Sequence, residues 1–174
     1  MNKKLIAVII GFLWLLIALG MILSKQYTLI TGKTVVLETV PVDPSDFLRG
    51  DYVVLRYKLN SLDLNQLQSQ KSNYRTGEKI YVKLEPKGKF WEPVAIYEKN
   101  NLPPGGLFIK GKVRYDSSYN HRLEADYGIE SYFVPEGEGR ELEGKMRGNV
   151  SSVSVEVVVD SSGNALIKKV YVDQ

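Results

Sequence analysis

The order of apolar and polar positions divides the chain into two unequal parts. After Lys3 and Lys4, the residues from Leu5 to Leu23 form an unbroken stretch without a charge or a proline. At about 1.5 Å per residue, this length matches the roughly 30 Å hydrocarbon core of a bilayer. We therefore predict that residues 1–24 are a cytoplasmic start and a transmembrane anchor, which contacts the bilayer through residues 5–23.

Beyond this stretch the pattern is typical of strands and turns. Short runs rich in Val, Ile, Tyr and Thr alternate with clusters of Gly, Pro, Asn and Asp. Residues 52–59 alternate most clearly, which predicts a strand with Val53, Leu55, Tyr57 and Leu59 on its buried face. Further strands are predicted at Val35–Val42, Lys79–Leu84, Trp91–Glu98, Leu107–Tyr115, Arg122–Phe133, Val153–Val159 and Ala165–Val172, with a hairpin connection at 160–164.

Helical signals outside the apolar stretch are few. Leu64 and Leu67 stand three residues apart within Ser61–Lys71, which predicts a helix there. An Asp followed by Pro predicts a single helical turn at 43–47, and residues 136–147 are a weaker helix candidate. The predicted fold is mainly β: a single antiparallel barrel- or sandwich-like domain over residues 25–174, with one or two short helices, preceded by one transmembrane helix.

Charge predicts the topology and excludes one class of partner. The cations Lys3 and Lys4 precede the apolar stretch, so the positive-inside rule places the N-terminus in the cytoplasm and the domain on the extracytoplasmic side. A cleaved signal peptide with Ala18-Leu19-Gly20 as its site is the alternative, and we favour the anchor because the apolar run continues to Leu23. The net charge is +3, which argues against a nucleic-acid partner because no concentrated basic surface is expected.

Two segments carry a resemblance to a known family. The octapeptide GDYVVLRY at 50–57 and the segment YGIESYFVPEGEGRELE at 127–143 occur in that order. They resemble the two shared segments of the GDYXXLXY family, and with the N-terminal stretch and the closing hairpin the resemblance covers most of the chain. It implies a single-span protein of the bacterial cytoplasmic membrane whose neighbour is a polytopic membrane protein, and it implies no reaction.

The residues proposed for binding come from these two segments. Arg49 and Asp51 form a polar pair beside the turn residue Gly50, which structural needs of the turn also explain. The complete set of predicted motif residues is Arg49, Gly50, Asp51, Tyr52, Leu55, Tyr57, Glu130, Pro135, Glu136 and Gly137. Glu130 stands in an apolar strand and would need a partner if buried, for which Arg49 or Arg140 is expected.

Other chemistry is weakly indicated. The chain contains no cysteine, so a thiolate metal site is excluded, and the acidic residues of 126–143 lack the ligand spacing of a calcium loop. We expect no catalytic residue, no metal and no cofactor. The stripe of Lys110, Lys112 and Arg114 could meet anionic lipid, but the solvated face of a sheet is the simpler interpretation. No role is assigned to His121.

Three functions remain open from the sequence. The favoured one is a non-catalytic accessory or interaction module that works with a polytopic membrane protein. A membrane-tethered hydrolase is the second, because the segment 49–54 is similar to a strand of type I signal peptidases, although no Ser-Met-x-Pro segment precedes it. Neither Ser24 nor Ser45 has a suitable context for a nucleophile. A ligand-sensing domain is the third.

Overall fold

The computed structural model describes residues 3–40, 52–115, 121–133 and 153–172. Helix α1 (Lys3–Thr31) is followed by β1 (Lys33–Glu38), β2 (Tyr52–Val54), β3 (Ser61–Asp63), β4 (Gln68–Ser69), β5 (Lys79–Lys87), β6 (Phe90–Tyr97), β7 (Leu107–Tyr115), β8 (Arg122–Asp126), β9 (Ser131–Phe133), β10 (Val153–Val159) and β11 (Ala165–Val172). Single 3-10 turns lie at Lys58–Asn60 and Lys99–Asn101. The mainly β fold with one N-terminal apolar helix is confirmed.

Helix α1 is long and apolar enough to cross a membrane, as judged by length and composition. Its large apolar side chains are exposed from Leu5 to Ile30, so they do not pack on the domain. The helix continues past the apolar stretch to Thr31 and ends where the amide of Gly32 donates to the Thr28 carbonyl. Gly32 suits this close turn because a Cβ there would overlap the Val158 side chain and lie 2.6 Å from the Thr28 oxygen.

A three-stranded antiparallel sheet follows the helix directly. Its strand order is β1-β10-β11, and Lys33 at the start of β1 lies opposite Val159 at the end of β10. The predicted bounds of the last two strands and the hairpin between them are confirmed. The first strand begins at Lys33 and ends at Glu38, earlier than the predicted 35–42.

The larger sheet has six strands in the order β3-β8-β7-β5-β6-β4 and curls into a half-barrel. All its pairs are antiparallel except β4 with β6. The predicted strand Leu107–Tyr115 is confirmed. The strand before Gly88 continues to Lys87, beyond the predicted Leu84, and the strand after it begins and ends one residue earlier than the predicted 91–98. Their inward side chains and those of the smaller sheet enclose one apolar core, which includes Leu37, Ile80, Ile109 and Val157.

Two predicted strands are interrupted. The predicted strand 122–133 is split into β8 and β9 because Gly128 adopts a φ of 77°, a conformation that turns the chain. The predicted strand 52–59 ends at Val54, yet its inward face is as predicted: Val53, Leu55, Tyr57 and Leu59 are at most 3% exposed. The alternation of apolar and polar residues therefore identified the buried face correctly, even beyond Val54, where the regular strand ends.

The predicted helix Ser61–Lys71 is wrong. Ser61–Asp63 is strand β3, which pairs with β8 and buries Leu62. The Asp63 carboxylate then accepts the Asn65 amide at 2.9 Å, a local bond that competes with helix formation. Leu64 and Leu67 pack against the core from this irregular segment rather than from a helix face. The helical features predicted at 43–47 and 136–147 lie outside the described residues.

Candidate functional site: the ladder between the two motif segments

The two motif segments pair with each other. Strands β2 and β9 form an antiparallel ladder in which Tyr52 lies opposite Phe133 and Val54 lies opposite Ser131. The ladder continues into the next residues, because the Leu55 amide donates to the Glu130 carbonyl at 2.8 Å. Segments more than 70 residues apart in the sequence thus form one structural unit, which we call the motif ladder (β2, β9 and residues 55–60 and 127–130).

Tyr57 is an inward member of the motif ladder. Its ring is 1% exposed, and its hydroxyl donates to the Ile129 carbonyl at 2.7 Å. Burial raises the pKa of this hydroxyl far above its ordinary value, and the nearby charge of Glu130 raises it further. The phenol therefore stays protonated and serves as a hydrogen-bond donor that fixes the turn of the second segment.

Glu130 receives its hydrogen bonds from backbone amides and from an asparagine. Its Oε1 accepts the Tyr127 amide at 2.6 Å and Asn60 Nδ2 at 3.2 Å, and its Oε2 accepts the Gly128 amide at 2.9 Å. The arginines expected as partners, Arg49 and Arg140, lie outside the described residues. The side chain is half-buried, and its carboxylate closes the turn that separates β8 from β9.

Asn60 links both segments to the sheet and was missed by sequence reasoning. Its side chain accepts the Tyr57 amide at 2.6 Å and donates to the Ala125 carbonyl at 2.7 Å as well as to Glu130. The residue is only 5% exposed. Its position at the end of an alternating run is the one sequence signal for this residue. That signal does not distinguish a buried asparagine from a polar residue in an exposed turn.

Tyr127 is the second buried tyrosine of the motif ladder. Its hydroxyl donates to the Leu59 carbonyl at 2.9 Å, and its ring lies against Gly111, where a Cβ would approach within 2.9 Å. Burial is the main cause that raises the pKa of this hydroxyl well above its ordinary value, and Glu130 adds to it. Both tyrosine hydroxyls therefore donate hydrogen bonds to backbone carbonyls, and these bonds hold the two segments in place.

The remaining predicted motif residues lie outside the described part of the chain. These are Arg49, Gly50, Asp51, Pro135, Glu136 and Gly137, while Tyr52 is described by its backbone pairing. Because Tyr52 lies opposite Phe133, the chain enters β2 and leaves β9 at the same end of the motif ladder. The hydrogen bonds of Tyr57, Asn60 and Glu130 lie at the other end of the motif ladder.

Other predicted candidates are accounted for locally. Arg114 makes a two-pronged ion pair with Asp126, so the basic stripe on β7 is partly neutralised. His121 is exposed and has a φ of 53°. The hydroxyl of Ser24 donates to the Met21 carbonyl one turn earlier in its own helix. Within the described ranges no three His, Cys, Asp or Glu side chains come together as a metal-binding group.

A second polar centre joins the helix to the domain, and no sequence signal pointed to it. Thr28 is 5% exposed, and its hydroxyl donates to Asp160 Oδ2 at 2.8 Å. The same carboxylate accepts the amides of Ser162 and Asn164 at 2.9 Å each and the Asn164 side chain at 3.0 Å. We call this the helix joint (Thr28, Gly32 and residues 160–164).

Electrostatics at the helix joint favour an ionised carboxylate. Burial raises the pKa of Asp160, but the hydrogen bonds from Asn164, Thr28 and Ser162 outweigh it and hold that pKa below its ordinary value. The joint also reaches the large sheet, because the Lys110 amide on β7 donates to the Gly163 carbonyl at 2.8 Å. The helix is therefore fixed to both sheets through one hairpin.

Comparison with known proteins identifies the family of the chain. Residues 14–170 match the GDYXXLXY protein family, a match that includes both motif segments, most of the helix and the closing hairpin. A search of curated proteins and a search of solved structures each give no match. The chain belongs to the GDYXXLXY family.

Proposed function

We propose that this member of the GDYXXLXY family is a membrane-anchored, extracytoplasmic, non-catalytic accessory module that works with a polytopic membrane protein. The observation that carries the proposal is the internal bonding of the motif ladder. Its polar side chains Tyr57, Asn60 and Glu130 direct their hydrogen bonds to the protein's own backbone and to each other. Such residues hold a shape for recognition rather than supply a nucleophile or a base.

The anchoring part of the proposal is supported by the helix. It is apolar from Leu5 to Leu23, exposes its large side chains, and this stretch is preceded by two lysines. Positive charges before the span favour a cytoplasmic N-terminus, which leaves the β domain on the outer face of the membrane. Anchoring supports the proposed partner class, because a module held at the membrane surface meets other membrane proteins at high local concentration.

The orientation can be tested with single cysteines, since the natural chain has none. Asn100→Cys lies on an exposed 3-10 turn of the domain, and Lys3→Cys lies at the start of the helix. We expect a membrane-impermeant maleimide to label Asn100→Cys in intact cells and Lys3→Cys only after permeabilisation. Labelling of Lys3→Cys alone in intact cells would reverse the proposed topology.

The partner can be tested by purifying the tagged full-length protein in mild detergent and identifying bound proteins by mass spectrometry. We expect a polytopic membrane protein in stoichiometric amount. A chain in which residues 5–23 are replaced by an unrelated apolar helix of equal length separates recognition by the domain from recognition by the span. If the natural protein and the variant with the replaced helix are each purified from native membranes without a bound protein, the accessory role is contradicted.

A further inference from the structure

The position of the helix joint relative to the membrane can be read from the helix itself, and the inference that follows rests on the proposed membrane anchoring. Thr28 lies five residues beyond Leu23, the last residue of the apolar stretch. Five residues of helix extend about 7.5 Å. The headgroup layers add roughly 5–8 Å to each side of the hydrocarbon core. The hairpin 160–164, which is bonded to Thr28, therefore lies at headgroup depth.

Three lysines lie on the elements that form or adjoin the helix joint. Lys25 lies three residues before Thr28, so the two side chains project from neighbouring sides of the helix. Lys33 begins β1 opposite Val159, the residue before Asp160. Lys110 lies beside the hairpin, with its amide on the Gly163 carbonyl and its Nζ 3.2 Å from Asn164 Oδ1.

These lysines are available to an external anion. Within the described part of the chain, none of Lys25, Lys33 and Lys110 forms an ion pair. Lys58 is different, because at the opposite end of β1 it is paired with Glu38 and Glu92. The carboxylate of Asp160 is buried and directs its oxygens to Thr28, Ser162 and Asn164.

Aromatic side chains at the same level fit a membrane interface. Lys33 Nζ lies 4.6 Å from the centre of the Trp91 ring, which places this half-buried tryptophan near the end of the helix. Tyr27, beside Thr28 on the helix, is 61% exposed. Tryptophan and tyrosine are enriched at the headgroup level of membrane proteins because their rings are apolar and their polar atoms remain hydrated.

We propose that the helix joint is a binding site for the phosphate of an anionic phospholipid. Lys25, Lys33 and Lys110 supply the positive charge, and the exposed Ser161 and Ser162 of the hairpin supply hydroxyl donors. The occupant is the lipid headgroup layer of the bilayer in which the helix is embedded. The bound lipid holds the domain at one height and tilt, so the site orients the motif ladder towards the partner.

Trp91 provides the measurement. The chain has two tryptophans, and Trp14→Phe leaves Trp91 as the single donor for energy transfer to a phospholipid with a dansylated headgroup. The full-length protein is placed in nanodiscs of phosphatidylcholine with a trace of the dansyl lipid, and transfer is titrated with unlabelled phosphatidylglycerol or additional phosphatidylcholine. We expect phosphatidylglycerol to displace the probe several-fold more effectively than phosphatidylcholine.

Lysine variants decide whether the preference belongs to the helix joint. Lys33→Gln and Lys110→Gln should each lower the preference for phosphatidylglycerol about fivefold, the effect of one lysine near an anionic surface. Lys99→Gln removes the same charge from the exposed 3-10 turn after β6 and should leave the preference unchanged. Equal displacement by both lipids, or an equal loss in Lys99→Gln, would overturn the lipid site while the anchoring stands. Failure of the full-length chain to insert into nanodiscs would instead contradict the proposed anchoring.

Discussion

The motif ladder and the helix joint are two polar centres with the same arrangement of hydrogen bonds. In each, a carboxylate accepts backbone amides in a tight turn and also a side-chain donor from a distant element: Asn60 for Glu130 and Thr28 for Asp160. The motif ladder lies within a recognisable sequence signature, whereas the helix joint consists of common residues without a motif. The family signature therefore indicates the position of the motif ladder and gives no indication of the helix joint.

The difference also concerns what each centre holds. The motif ladder fixes two segments of the domain to each other, so its loss should lower the stability of the whole β domain. The helix joint fixes the domain to helix α1, so its loss should change the orientation of the domain relative to the helix more than folding. Four predictions, from the largest expected effect to the smallest, test this separation.

Asn60→Ala should have the largest effect. It removes hydrogen bonds to Tyr57, Ala125 and Glu130 and leaves buried polar groups without partners, which should lower the free energy of unfolding by about 2–4 kcal/mol. Urea unfolding of the full-length protein, followed by Trp91 fluorescence in a Trp14→Phe background, measures it. The exposed Asn100→Ala should change stability by less than about 0.5 kcal/mol. Equal stability of the two variants would remove the motif ladder as a structural centre.

Gly32→Ala should disturb the helix joint through its backbone. The added Cβ has no space between the Val158 side chain and the Thr28 carbonyl, and such overpacking costs about 1–3 kcal/mol. We expect a broader distance distribution between spin labels at Ser24→Cys and Asn100→Cys, measured by pulsed electron paramagnetic resonance. Gly11→Ala, where the Cβ meets nothing within 4 Å, is the matched control. An unchanged distribution in Gly32→Ala would show that the joint does not fix the domain.

Tyr57→Phe sharpens the account of the motif ladder. It keeps the buried ring but leaves the Ile129 carbonyl without its donor, which should cost about 1–2 kcal/mol in urea unfolding. Tyr127→Phe removes the corresponding bond to Leu59 and should have a similar cost. A neutral result for both would mean that ring packing, and not hydroxyl bonding, fixes the two segments.

Asp160→Asn should have the smallest effect at neutral pH and a distinct effect in acid. Because the folded-state pKa of Asp160 is below its unfolded value, its ionised form stabilises the native structure above about pH 4, and this stabilisation is lost as pH falls through the folded pKa. The variant should lose about 1 kcal/mol at neutral pH. Its stability should also fall less than that of the natural chain below about pH 4. Parallel acid profiles in urea unfolding would contradict an ionised Asp160.

The sequence predicted many of the strands because their alternation is strong and local. Leu107–Tyr115, Val153–Val159 and Ala165–Val172 have the predicted bounds, and Leu55 and Tyr57 point inward as predicted. The helix predicted over residues 61–71 failed because Leu64 and Leu67 carry a helical spacing by chance, while pairing of Ser61–Asp63 with β8 decides the backbone. Tertiary pairing outweighed a weak local preference.

Within the candidate site, the sequence singled out Glu130 as an acid in an apolar strand that would need a partner if buried. It did not point to the donors seen in the structure, because the Gly128 turn brings two backbone amides to the carboxylate and because Asn60 comes from a segment 70 residues away. The arginines Arg49 and Arg140, which were expected as partners on general grounds of charge, lie outside the described residues.

By itself, the sequence determined an apolar helix of membrane-spanning length, the strand-and-turn character of the rest, and membership of the GDYXXLXY family. These properties depend on composition and on spacings of a few residues, which the chain displays directly. Only the tertiary structure decided that the motif segments pair with each other and that Thr28 meets Asp160 across 132 residues of sequence. The reason is physical: which distant polar groups meet in a buried site depends on how the sheets close around the core, and local spacing does not encode that closure.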